Sequence, residues 1–147
     1  MSSRTGAGGR DMLQVAAMLV GVVFLLVGVL GFIPGITTGD LAAAGHTSHA
    51  KLLGIFQVSA LHNAVHLLFG VAGLLMGRSR SGAKSYLVGG GVIYLVLFVL
   101  GLVMVGKETA INFVPVNVAD NLLHLVLGIG MIGAGLVLGK NTIASRA

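Results

Sequence analysis

From Phe56 to Gly77 the chain reads FQVSALHNAVHLLFGVAGLLMG, and from Val114 to Gly139 it reads VPVNVADNLLHLVLGIGMIGAGLVLG. With Ser59 laid on Asn117 the two stretches run together without a gap. His62 falls on Asp120, Asn63 on Asn121, His66 on His124, Leu67 on Leu125 and Gly70 on Gly128, always 58 positions apart. Each stretch begins with polar and ionisable residues and continues as an oily, glycine-bearing helix. The doubling predicts a molecule built from two similar halves.

Working outward, the bulk composition sets the class. The chain has 147 residues, 56% of them hydrophobic and only 9% charged, with a mean hydropathy of +1.02. Soluble domains carry about 25% charged residues. So little charge cannot cover a water-facing surface, which makes this an integral membrane protein. Its 24 glycines suit helices whose backbones approach closely in a bilayer. There is no cysteine, which excludes disulfides, thiolate catalysis, iron–sulfur clusters and cysteine-based zinc sites. The formal net charge of +5 reads as membrane topology rather than nucleic-acid binding.

Hydropathy and breakers divide the chain into four spans, at about 12–33, 60–77, 86–105 and 118–139, within a membrane domain over 11–139. Residues 1–10 and 140–147 read as short cytoplasmic tails. The first run is too long for the core of a secretory signal and is a retained helix, closed by Pro34 and Gly35. A long loop follows it. Asp40, His46, His49 and Lys51 should sit in water, and Leu52 to Val58 should lie in the interface as a short amphipathic or re-entrant segment. TAINFVPVN should take the equivalent place in the second half.

Arg4, Arg10, Arg78, Arg80, Lys84, Lys140 and Arg146 fall on the side of the termini, against Lys51 and Lys107 on the other. This bias puts both termini in the cytoplasm of a cell-membrane protein and the doubled polar stretch near the outer surface. Two crossings per half make the repeats parallel. The expected fold is therefore all-α: an integral membrane four-helix bundle of two parallel helical-hairpin repeats.

GFIPGITTG, KLLGIFQVSALHNAVHLLFGVAGLL and NFVPVNVADNLLHLVLGIGM in combination resemble the signature blocks of a bacterial four-helix membrane family catalogued as domain of unknown function 4383. The resemblance runs from the first helix to the fourth. It implies four membrane helices and no established activity. That family usually carries Asn where this chain has Ser59, and both are good helix caps.

The candidate site is the polar cluster His62, Asn63, His66, Asp120, Asn121 and His124. His62 and His66 share one helix face, as do Asp120 and His124. Three readings follow. In the structural one, Ser59 and Asn117 are N-caps, Asp120 completes a capping box, and the other polar groups serve neighbouring helices and loops. The role is then structural or accessory, with no cofactor. In the second, His62, His66, Asp120 and His124 hold zinc or another divalent metal, or His66 and His124 ligate a haem. In the third, the cluster belongs to a small transporter or proton-transfer protein. A shallow site, with no charged residue in the inner half of any helix, weighs against a through-membrane relay.

No nucleophile elbow, HExxH or Walker lysine is present, so catalysis is not expected. Gly73/Gly77 and Gly135/Gly139 read as helix contacts, within the bundle or between protomers of a homo-oligomer. The expected partners are the lipid bilayer, a second copy or a membrane complex, and not nucleic acid.

Overall fold

The computed structural model describes residues 9–140, so most of both tails lies outside the described residues. Among the described residues there are four helices: α1 (Met12–Leu30), α2 (Ala60–Met76), α3 (Arg80–Met104) and α4 (Val118–Lys140). Three of them, α1, α3 and α4, are long and apolar enough to cross a membrane. The shorter α2 has 17 residues, about 26 Å of helix. Leu19, Leu26, Leu68, Val96, Leu102, Val126 and Val137 are exposed on the helix surfaces. In water such a surface would aggregate, and in a bilayer it is the solvent-matched face. This is a membrane-embedded helical protein.

The helices pack as two antiparallel hairpins, α1 with α2 and α3 with α4, and the contacts of one recur in the other. A Cβ on Gly21 of α1 would lie 2.8 Å from the carbonyl of Gly70, and one on Gly91 of α3 would lie 2.8 Å from that of Gly128. Gly91 is 70 positions after Gly21, and Gly128 is 58 after Gly70. The same offsets carry Met18 against Gly77 onto Val88 against Gly135, and Leu25 against Gly70 onto Leu95 against Gly128. Bare backbone at these crossings lets the helices touch, which substitutes van der Waals contact for the hydrophobic drive that lipid cannot supply. Gly73, Gly77, Gly135 and Gly139 all face neighbours inside the molecule. Leu13, Ala17, Phe24, Leu87, Tyr94 and Met131 fill the shared core between the hairpins.

The helix ends depart from the sequence reading by a few residues. Helix α1 stops at Leu30 rather than Ile33, because the hydroxyl of Thr37 donates to the Leu30 carbonyl (3.0 Å) and the chain turns there. Helix α3 starts at Arg80 rather than Tyr86. Ser79 caps it, accepting from the Gly82 amide at 3.0 Å, so Arg80, Ser81 and Lys84 ride its first turns instead of forming a loop. Leu52 to Val58, expected as a short amphipathic or re-entrant segment, is hydrogen-bonded into a sheet. It belongs to an antiparallel three-stranded sheet, β1 (Thr37–Thr38), β2 (Lys51–Leu52) and β3 (Phe56–Gln57), in that order. Leu52 pairs with Thr37 on one side and Phe56 on the other. The turn from β2 to β3 runs through Leu53 and Gly54, both at positive φ (54° and 71°). The second connection, 105–117, carries no strand among the described residues.

The termini end of the bundle is closed by reciprocal caps. Gln14 on α1 donates to the carbonyls of Gly77 and Arg78 at the end of α2 (3.2 and 2.8 Å). Arg80 on α3 donates to the Leu138 and Gly139 carbonyls of α4, both at 3.1 Å, and pairs with Asp11, the N-cap of α1. These bonds satisfy carbonyls that a helix end leaves without partners.

Candidate functional site

All six residues of the doubled cluster lie at the loop end of the bundle, in the first turns of α2 and α4. Five are deeply buried: His62 (4% exposed), Asn63 (0%), Asp120 (4%), Asn121 (6%) and His124 (5%). His66 is half-buried. The six divide into two groups by what they pack against.

Asp120, Asn63 and Asn121 serve packing. Asn117 accepts from the Asp120 amide (2.9 Å), while Oδ2 of Asp120 accepts from the Asn117 amide (2.8 Å): the capping box expected from the spacing. The same Oδ2 also accepts from the amide of Gln57 in β3 (3.0 Å), and the Asn117 side chain donates to Ile55 (2.7 Å). The start of α4 thus grips the sheet of the first half. Asn63 sits against Gly31, where α1 ends, and Asn121 sits against Gly101, near the end of α3. Any side chain at either glycine would collide with the amide. Gly31 and Gly101 are again 70 positions apart.

Ser59 caps α2 as expected, its hydroxyl accepting from the His62 amide at 3.1 Å. The next free amides of that helix, Ala60 and Leu61, donate to the carbonyls of Ala42 and Ala43 in the first loop (3.0 and 2.9 Å). Buried Ser48 fixes that loop by donating to Val58 (2.6 Å) and accepting from Ala42 (3.2 Å). Asp40, His49 and Lys51 are exposed and His46 is half-buried, all outside the cluster.

The histidines form the second group. The rings of His62 and His66 lie 4.5 Å apart, centroid to centroid. His66 meets Phe24 of α1 at 5.7 Å, and His124 meets Tyr94 of α3 at 5.3 Å. Phe24 and Tyr94 stack on each other at 5.4 Å, and Phe69 joins both. The buried Nδ1 atoms of His62, His66 and His124 have no hydrogen-bond partner, and neither do Oδ1 and Nδ2 of Asn63 or Oδ1 of Asn121. An unpaired buried polar atom is costly and calls for an explanation. Among the described residues no group of three or more His, Asp or Glu is arranged to hold a metal ion.

Sequence reasoning missed Phe24 and Tyr94, the aromatic floor of the cluster. Their signal was present: they are 70 positions apart, the offset relating α1 to α3, whereas the repeat was aligned only on the second helix of each half. It also missed Gln57, because a glutamine amide in an apolar loop carries no mark of its partner.

Two cavities flank the histidines. One, of about 170 Å³, lies between α1, α4 and the sheet, bounded by Val27, Leu52, Phe56 and Leu127. The other, of about 380 Å³, lies between α2, α3 and the second connection, bounded by Val65, Leu97, Met104, Phe113 and Val116. His62, His66, Tyr94 and His124 line both.

Fold and site thus define a polytopic helical membrane protein with a buried polar cluster at its loop end. The model of one family, described as Domain of unknown function (DUF4383), matches residues 14–137. The chain belongs to that family. No curated protein and no solved structure matches it.

Proposed function

We propose that the protein is a four-span cell-membrane protein, made of two parallel hairpin repeats with both termini in the cytoplasm, whose role is structural or accessory rather than catalytic. One observation carries this reading: the carboxylate of Asp120, the only acidic group of the cluster, is held by two backbone amides and joins one half of the molecule to the other. A carboxylate so engaged is a fastener, not an acid or base waiting for substrate. The recurrence of contacts at offsets of 70 and 58 supports the repeat. Arg10, Arg78, Arg80, Lys84 and Lys140 gather at the termini end, and Lys51 and Lys107 lie on the loop connections, which supports the orientation. The membrane domain spans 11–139, its contacts are with lipid, and further partners are a second copy or a membrane complex.

The chain has no cysteine, so single cysteines report topology cleanly. With intact cells, Thr47→Cys is expected to react with an impermeant maleimide, and Ser81→Cys only after permeabilisation. The reverse pattern overturns the orientation, and labelling of both from outside overturns the span count.

The second reading, a metal or haem held by His62, His66, Asp120 and His124, is favoured by the unpaired Nδ1 atoms. A Soret band, or about one metal per chain, lost in His66→Ala/His124→Ala would replace the structural reading with this one. A colourless, metal-free protein whose variant only melts earlier supports the structural role.

A further inference from the structure

We infer that the histidine wall, together with the larger cavity beside it, is a binding site for an uncharged, bilayer-dissolved amphiphile: a long apolar chain bearing a hydroxyl or carbonyl head. The inference rests on membrane embedding and not on the structural reading of Asp120.

The walls set the body of the ligand. The cavity between α2 and α3 is lined almost wholly by aliphatic and aromatic side chains. Its rim residues Val65, Leu100, Ile111 and Phe113 are 41–67% exposed. Val65 and Leu100 stand on membrane helices, where exposed apolar side chains face lipid, and Ile111 and Phe113 stand on the second connection, so the mouth opens at the edge of the bilayer where α2 and α3 meet that connection. At about 380 Å³ the space falls in the range of about 300–1,000 Å³ usual for small-molecule pockets.

The head group follows from the inner wall. His62 and His124 are more than nine-tenths buried and line the cavity; their Nδ1 atoms are sealed within the protein, so Nε2 is the nitrogen each ring can turn to the cavity. A neutral imidazole offers one N–H and one bare nitrogen, so two imidazoles on one wall satisfy a hydroxyl, which donates and accepts, or a carbonyl, which accepts. A charged head fits poorly. Burying an ion in apolar surroundings requires a counter-charge, and no Lys, Arg, Asp or Glu lines the larger cavity. The smaller cavity meets the same four side chains from the far side, so a head reaching the histidines lies between two apolar spaces and the tail takes the larger.

The test is photolabelling of the full chain in phosphatidylcholine nanodiscs with a diazirine analogue of farnesol, mapped by mass spectrometry. Labelling is expected on residues lining the larger cavity. Competition by unlabelled farnesol and by decylubiquinone is expected to be at least about tenfold stronger than by the headless hydrocarbon farnesane or by myristate. His62→Leu/His124→Leu should abolish that preference. Val65→Trp fills the mouth without touching the cluster and should lower labelling about tenfold, while Val23→Trp at the smaller cavity should lower it less. Equal competition by farnesane, or label spread over Val96, Leu102 and Val126 on the outer faces, overturns the inference. Bound metal displacing the label also overturns it, in favour of a metal site. Neither result bears on Asp120, whose role is read from stability.

Discussion

At the loop end of the first hairpin, Asn63 lies against Gly31; in the second, Asn121 lies against Gly101. One residue earlier the halves part, with His62 in one and Asp120 in the other. The connections part as well. The first carries a three-stranded sheet and the second carries none among the described residues. These two differences are one. Asp120 accepts from Gln57 of the sheet, so the residue that breaks the repeat anchors the insertion that breaks it. Where contacts recur between the hairpins, at the glycine crossings and the Asn–Gly pairs, they hold the helical frame. Where the hairpins differ, the sheet joins the start of α4, and three imidazoles with an unbonded nitrogen line the cavity beside it.

The hardest test of the kept part is to break the equivalent crossings in turn. Gly21→Val and Gly91→Val each drive a side chain into a facing backbone, and backbone cannot retreat as a flexible side chain can. Each should cost about 3 kcal/mol, the upper end for an overpacked core. The two costs should agree to within about 0.5 kcal/mol if the hairpins are equivalent. Gly130→Val, with nothing within 4 Å of the new Cβ, should change stability by less than about 0.5 kcal/mol. Thermal unfolding in one detergent measures all three. Unequal losses at Gly21 and Gly91 would mean that one hairpin carries the fold and the other follows it.

The broken part is sharpened by making one change at both sites. Asp120→Leu strips the acceptor from two backbone amides, and hydrogen bonds to a charged group are worth about 1.5–3 kcal/mol. A loss of about 2–3 kcal/mol is expected, with faster tryptic cleavage after Lys51 as the sheet loosens. His62→Leu removes an unbonded polar atom and keeps most of the volume, so it should lie within about 1 kcal/mol of the parent. If His62→Leu costs as much as Asp120→Leu, His62 is a fastener too and the division of the cluster fails.

How much of this was legible beforehand follows from the range of each interaction. The helices, the caps Ser59 and Asn117, and the capping box at Asp120 rest on contacts within one or two turns, and a spacing of three or four residues displays them. The end of α1 does not show in that way. Thr37, seven residues on, closes it by bonding the Leu30 carbonyl, and no local pattern marks the pair. Two-residue strands give no alternation to detect, so the sheet was invisible although Phe56 and Gln57 lay inside the stretch read most closely. Phe24 and Tyr94 carry no local mark, since their pairing shows only in the 70-position offset between α1 and α3.

The smallest effect lies at the termini end, where each half caps its own second helix and one ion pair joins the halves: Gln14 closes α2, and Arg80 closes α4 while gripping Asp11. The Asp11 carboxyl is held below its ordinary value of 3.8, first by the amide of Gln14 and then by Arg80. A carboxyl whose pKa is depressed in the folded state stabilises the fold above its unfolded value and loses that stabilisation as pH falls through the folded one. The parent should therefore match its neutral stability down to about pH 4 and weaken below it relative to Asp11→Asn, which has nothing there to protonate. Both partners are about one-third exposed, so the difference should stay within about 1 kcal/mol and shrink in high salt. Arg80→Ala should lose the same acid-sensitive part and, in addition, a salt-insensitive part from the Leu138 and Gly139 carbonyls. If the parent and Asp11→Asn fall together below pH 4, the ion pair adds nothing between the hairpins, each of which is then closed at this end by its own carbonyl cap alone.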